Sequence, residues 1–213
     1  MKIVAINGSP RKNGNNARLL EVVRAEVEKA GVEFEVVQPG ANVKPCLACY
    51  RCLDTGSLRC VQDDAVNAII EKCIEADGIL LTSPVYHAGI SGNMKCVLDR
   101  MMLAAACGEN QFHHKVGGAL CTLRRSGGSE VYHQLLATMD CMEMVIVTSN
   151  YWGAAHGADP GQVLEDAEGV DVAAQLGRNM AWMVKVLAES KVPLPETHQI
   201  RYNKLRKLKK AKK

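Results

Sequence analysis

The chain has 213 residues, enough for one domain with a sizeable core. Hydrophobic residues make up 47% and charged residues 23%, which excludes a disordered or fibrous chain, and no apolar run approaches the roughly 20 residues that span a bilayer. The net charge of +3 divides unevenly: residues 201–213 carry eight Lys or Arg and no acid, which leaves residues 1–200 at −5.

"KIVAIN" (2–7) is a short apolar run with β-branched residues, bounded by Gly8, Ser9 and Pro10, and predicts a buried strand. Residues 16–30 follow as a helix, with Leu19, Leu20, Val23 and Val27 at helical spacing and Gly31 as the stop. "VEFEVVQP" (32–39) reads as the second strand, and a cysteine-rich loop follows over 44–62. "DDAVNAIIEKCIEA" (63–76) opens on acids and carries an apolar stripe, as a helix does. "GILLTSPV" (78–85) is the third strand, 92–105 a helix, "KVGGALCTL" (115–123) the fourth strand, and 129–140 a helix. "EMVIVTSNYW" (143–152) is expected as the fifth strand and 171–189 as the last helix.

Five apolar strands alternating with helices imply a parallel sheet covered on both faces. With right-handed crossovers, the expected architecture is a doubly wound α/β fold of the flavodoxin type, strand order 2-1-3-4-5, with the cysteine loop inserted after strand 2. The expected domain spans residues 1–192. Pro193 and Pro195 mark the start of a basic tail over 193–213.

In such sheets ligands sit beyond the carboxyl ends of the strands. The loop after strand 1, "GSPRKNGNNAR", offers Ser9, Arg11, Asn13, Asn15 and Asn16 beside a helix N-terminus, an anion cradle. Neither G-x-G-x-x-G nor G-x-x-x-x-G-K-[ST] is present, so a terminal monophosphate fits better than a dinucleotide or a nucleoside triphosphate. Strand 3 ends in Pro84, Val85, Tyr86 and His87, and strand 4 in "TLRRSGGSE" with Arg124, Arg125, Gly127 and Gly128. Each of these loops also reads as an ordinary turn, with Tyr86 and His87 packed locally and the arginines in surface ion pairs. Three polar loops converging on one edge point to a flat, phosphate-bearing ligand, for which FMN is the candidate.

Cys46, Cys49, Cys52 and Cys60 are spaced C-x2-C-x2-C-x7-C. The N-terminus shows no basic stretch followed by an apolar one, so a reducing cytoplasm is the expected location and disulfides are not expected. Nine cysteines is also an odd count. Three cysteines in consecutive C-x2-C steps form an iron–sulfur pattern, whereas structural zinc usually takes two knuckles set further apart. Zinc and a loop of free thiols stay open as alternatives. Cys73, Cys96, Cys121 and Cys141 fall on apolar faces and read as structural, with Cys107 near a helix end.

"NGSPRKNGN", "SPVYHAGISGNMKCVLDR" and "RRSGG" resemble the NADPH-dependent FMN reductase branch of the flavodoxin-like superfamily. The cysteine loop followed by "DD", and "NYWGAAHG" with "LGRNMAWMVK", resemble its iron–sulfur flavoprotein subgroup. The likeness covers residues 1–190. It implies that Ser9, Arg11, Asn13 and Asn15 hold the FMN phosphate, that Pro84–His87 and the 124–128 loop line the isoalloxazine, and that the four cysteines bind one 4Fe–4S cluster. Asn16 departs from the Ser or Thr common at its position. The resemblance further implies an oxidoreductase that passes electrons from ferredoxin or NAD(P)H to small acceptors, assembled as a homodimer or homotetramer. A plain NAD(P)H-dependent FMN or quinone reductase, and a non-enzymatic electron carrier or redox sensor, are the other readings. No membrane or nucleic-acid partner is expected, and no side chain is assigned as a general acid or base.

Overall fold

The apolar runs lie side by side in the computed structural model, which describes residues 1–107 and 110–196. β1 (Lys2–Asn7) pairs in parallel with β2 (Glu33–Val37) on one side and with β3 (Gly78–Tyr86) on the other. β4 (Gly89–Ile90) turns back antiparallel on β3, and β5 (Val116–Leu123) pairs in parallel with β3. β6 (Val145–Ile146) and β7 (Ala154–His156) both pair in parallel with β5, at different heights.

Side chains alternate along β1 between two cores. Ile3 and Ala5 face α1 (Asn15–Lys29) and α6 (Ala167–Glu189); Val4 and Ile6 face α3 (Ala65–Glu75) and α4 (Gly92–Met101), with α5 (Gly128–Cys141) further along that layer. Ile3, Ile6, Ile79, Leu80 and Leu81 are fully buried, each contributing roughly 1.5–3 kcal/mol. Among the described residues no helix is long and apolar enough to cross a membrane.

Among the described residues the sheet has seven strands rather than the expected five, along the path β2-β1-β3-β5-β6 with β4 and β7 off it. The run expected as one strand over 143–152 is broken. Ser149 Oγ donates to the Val172 carbonyl (2.6 Å) and Asn150 Nδ2 to the Asp171 carboxylate (2.7 Å), which draws the chain onto α6. It returns at Gly153, whose carbonyl accepts from the Cys121 amide (2.7 Å) where a Cβ would stand 2.3 Å from the Ala119 carbonyl oxygen.

α6 begins four residues earlier than expected, because Asp166 caps the Gly169 amide (3.0 Å). α4 ends at Met101 and continues as a π-helical turn over Met102–Ala106. The cysteine loop holds a short unpredicted helix, α2 (Arg51–Thr55). Cys73 and Cys121 are buried as expected, and burial pushes both thiols up to about 12. Cys96 is half-buried, and Cys141 is exposed rather than packed, at the polar end of α5. The basic run over 201–213 lies outside the described residues.

Candidate functional site

The loop after β1 is built by short-range polar turns. Asn7 Oδ1 accepts from the Ser9 amide (3.1 Å) and Ser9 Oγ from the Arg11 amide (3.2 Å), so the chain curls towards α1. Gly8 permits a close approach: a Cβ there would stand 2.7 Å from Met94 Cβ and 2.9 Å from the Thr82 carbonyl oxygen. Ser9 is buried, whereas Arg11, Lys12 and Asn13 are exposed. Gly14 caps α1 with no side-chain bond, so the first-turn amides are open to an anion.

Asn15 and Asn16 are engaged by the protein itself. Asn15 Nδ2 donates to the Gly157 carbonyl (2.8 Å) and its Oδ1 accepts from the Gly161 amide (2.8 Å), tying the loop to the chain after β7. Asn16 is buried; it donates to Thr82 Oγ1 (3.3 Å) and accepts from Thr122 Oγ1. Together they tie the loop after β1 to β3, to β5 and to the chain after β7.

At the end of β3, Pro84 and Val85 are half-buried and Tyr86 is exposed. His87 and Ala88 make the two-residue hairpin turn to β4, with φ of 48° and 60°. Such a turn favours Asn-Gly, so two non-glycine residues here carry a strain of roughly 1–3 kcal/mol each. Gly127, at φ 86°, lies under this hairpin, where a Cβ would stand 2.9 Å from Val85 Cγ1. Ser9, Arg11, Asn15, Asn16, Pro84, Val85, Tyr86 and Arg124 line one open cleft, together with Thr122, Gly157 and Ala158. Asn13, His87, Arg125, Gly127 and Gly128 are not part of its wall. Gly157 and Ala158 were not anticipated from sequence, although "NYWGAAHG" contains the first.

Cys46, Cys49, Cys52 and Cys60 line a second cavity, walled by Leu47, Tyr50, Val61 and Leu103 and closed by Arg100. Ala48 and Tyr50 take left-handed backbone, with φ of 48° and 60°, which wraps the first three cysteines around a tight turn. Among the described residues no three His, Cys, Asp or Glu side chains converge on the position of a single ion. Burial pushes the Cys52 thiol up, and the neighbouring Cys60 and Cys49 add to the rise.

Arg100 has a side chain with no exposed surface and was missed from sequence. Its guanidinium binds the Asp64 carboxylate through two nitrogens (2.7 and 2.8 Å), and Nε donates to Cys60 Sγ (3.3 Å). The pairing with Arg100 holds the Asp64 carboxyl below its ordinary range. A set of soft thiol donors, apolar walls and one buried cation suits an anionic thiolate-ligated group, so the residues fit an iron–sulfur cluster.

Residues 1–159 match the family described as NADPH-dependent FMN reductase. The chain belongs to that family. An iron–sulfur flavoprotein of Methanocaldococcus jannaschii is 33% identical over 195 residues, spanning 88% of this chain and 99% of that protein. One from Methanosarcina thermophila is 29% identical over 195 residues, spanning 90% and 99%. Among solved structures, RosB with a bound formylated riboflavin phosphate intermediate superposes with a TM-score of 0.73 at 18% identity, over 100% of this chain and 88% of that one. A WrbA-like flavodoxin from Agrobacterium tumefaciens gives 0.62 at 15% identity, over 86% and 97%. The fold of this FMN reductase family member is flavodoxin-like, and the chain is a flavin-dependent oxidoreductase.

Proposed function

We propose that the protein binds FMN at the carboxyl edge of the sheet and a 4Fe–4S cluster in the four-cysteine cavity, and moves electrons from ferredoxin or NAD(P)H to small acceptors such as oxygen, peroxide, a quinone or another flavin. One observation carries the reading: a single helix touches both places. Ser91, which caps α4, donates to the Gly8 carbonyl in the phosphate loop (2.6 Å), and Arg100 at the other end of α4 reaches Cys60 (3.3 Å). At a rise of 1.5 Å per residue those two contacts are about 13 Å apart along the helix. When bound, FMN exchanges electrons singly or in pairs and the cluster singly, which suits a device that splits or pairs electrons.

On this reading Ser9, Arg11, Asn13 and the first amides of α1 hold the phosphate, and Asn15 and Asn16 shape the loop that presents them. Pro84–His87 and the loop from Arg124 to Gly128 border the isoalloxazine, where Arg124 or Arg125 brings positive charge. Cys46, Cys49, Cys52 and Cys60 hold the cluster as thiolates. Assembly as a homodimer or homotetramer belongs to the same proposal; Tyr151 and Trp152, exposed with ring centroids 5.1 Å apart, are candidates for that surface.

Anaerobic purification followed by metal and sulfide analysis tests the reading. The expected result is roughly four irons and four sulfides per chain, with FMN released by acid. FMN with zinc or with no metal would instead support a plain FMN or quinone reductase, and recovered FAD would refute the flavin assignment. Side-by-side assays with NADPH, NADH and reduced ferredoxin name the donor, and reversible reduction without turnover would make the chain a carrier.

A further inference from the structure

Two buried polar residues on neighbouring helices face the segment that carries Cys60, and the proposed function does not say what either does to that cysteine. The first is Asn67 on α3, with 2% of its surface exposed. Its Oδ1 accepts from the Cys60 amide (2.8 Å), while Nδ2 donates to the carbonyls of Cys60 (3.0 Å) and Gln62 (3.2 Å). The second is Arg100 on α4. Beyond its pairing with Asp64, it donates to the carbonyls of Gln62 (2.9 Å) and Lys44 (3.4 Å), so it also ties the start of the cysteine loop to its end.

The bond from Arg100 Nε to Cys60 Sγ stands apart from the rest. The remaining N–H groups of the guanidinium meet carboxylate or carbonyl oxygens, which would hold an arginine in place without it. The Arg100 side chain is wholly buried while that of Asp64 keeps 26% of its surface exposed, and an ion pair of this kind is weak evidence for stability, since apolar residues of like volume often do as well. The arrangement is therefore poorly explained by stability alone. Among the described residues, Cys46 accepts a backbone amide, from Ala48 (3.4 Å), and a charged side chain donates to Cys60 and to none of the other three cysteines.

Cys60 is also the thiol that most needs positioning. The first three cysteines share one tight turn and place each other. The fourth comes after seven further residues, and ordering such a spacer costs conformational entropy unless other elements fix its end. α3 and α4 supply that fixing from outside the loop.

We propose that Arg100 and Asn67 are positioning residues for Cys60: Asn67 clamps its backbone, and Arg100 donates to its sulfur and thereby raises the reduction potential of the cluster. The inference rests on the cluster reading above. Hydrogen bonds to ligand sulfurs set cluster potentials, because a donor disperses the negative charge that grows on reduction. Removing the donor lowers the potential.

The test compares wild-type protein, Arg100→Lys and the double variant Asp64→Asn/Arg100→Gln, all purified anaerobically. Lysine keeps the cation and can pair with Asp64, but it has no Nε–H fork. The double variant removes both charges together, so it leaves no unpaired carboxylate. FMN content and melting temperature report folding; iron release to a chelator and an electron-paramagnetic-resonance titration report the cluster. We expect both variants to keep FMN, to lose iron on the order of tenfold faster, and to show a lower cluster potential with the flavin potential unmoved. Any variant that keeps FMN decides the matter. Iron release and cluster potential equal to wild type would overturn the inference and leave the cluster reading standing. Loss of FMN together with iron in both variants would also overturn it, since Arg100 would then be a packing residue. Wild-type protein that lacks iron and sulfide would remove the cluster reading itself, and this inference with it.

Discussion

Gly8 illustrates how one residue joins the two sites. Its amide donates to the Thr82 carbonyl (2.8 Å) and its carbonyl accepts from Ser91, so β1, β3 and α4 meet at a point with no room for a Cβ. Gly8→Ala should therefore destabilise the fold by about 1–3 kcal/mol through overpacking and weaken FMN binding, as read from urea midpoints and flavin titration. Cys73 and Cys121 make a second prediction. Both thiols are pushed from 9.0 up to about 12 by burial, so they stay neutral in the folded chain where the unfolded chain would ionise them. Their contribution to stability is full below about pH 9 and is lost as pH rises towards about 12, because the unfolded state then binds fewer protons. Urea unfolding at about pH 8 and about pH 10 should show stability falling, and alanine at both positions should flatten that fall. Ser9 and Arg11 were expected at the carboxyl edge from the polar loop after strand 1, and both line the cleft found there. Asn15 and Asn16 were expected as ligands from the same loop; both line the cleft, and their side-chain amides also satisfy groups of distant strands and turns.

At the scale of elements, α3 is held at both ends by residues from other parts of the chain. Asp64 accepts from the Val66 amide (3.1 Å) at its start while pairing with Arg100. At its end, Lys115 Nζ donates to the carbonyls of Ile74 (2.8 Å) and Ala76, satisfying groups a helix terminus leaves open. Burial lowers the Lys115 pKa. Lys115→Met should cost about 1–3 kcal/mol by leaving those carbonyls unpaired, while iron and FMN contents stay at wild-type values; chemical denaturation and cofactor analysis check both. Helix positions were legible because their apolar stripes are local. The break between β6 and β7 was not, since it depends on Ser149 and Asn150 finding α6 rather than on any signal within "EMVIVTSNYW".

For the whole molecule, two apolar cores lie on opposite faces of one sheet, and among the described residues both are completed by side chains no later than Leu187. A chain ending at residue 196 should accordingly keep its FMN, iron and melting temperature; thermal melts and cofactor analysis of the shortened protein check this. What the sequence determined by itself was whatever neighbouring residues encode: strand and helix periodicity, the polar loops at strand ends, and a cysteine spacing that suits a cluster. Only the tertiary structure decided which distant groups meet. Arg100 reaches Cys60 across 40 positions and Asn15 reaches Gly157 across 142. Such pairings follow from how helices settle on a twisted sheet, and that packing is a property of the assembled layers that no local stretch of chain carries.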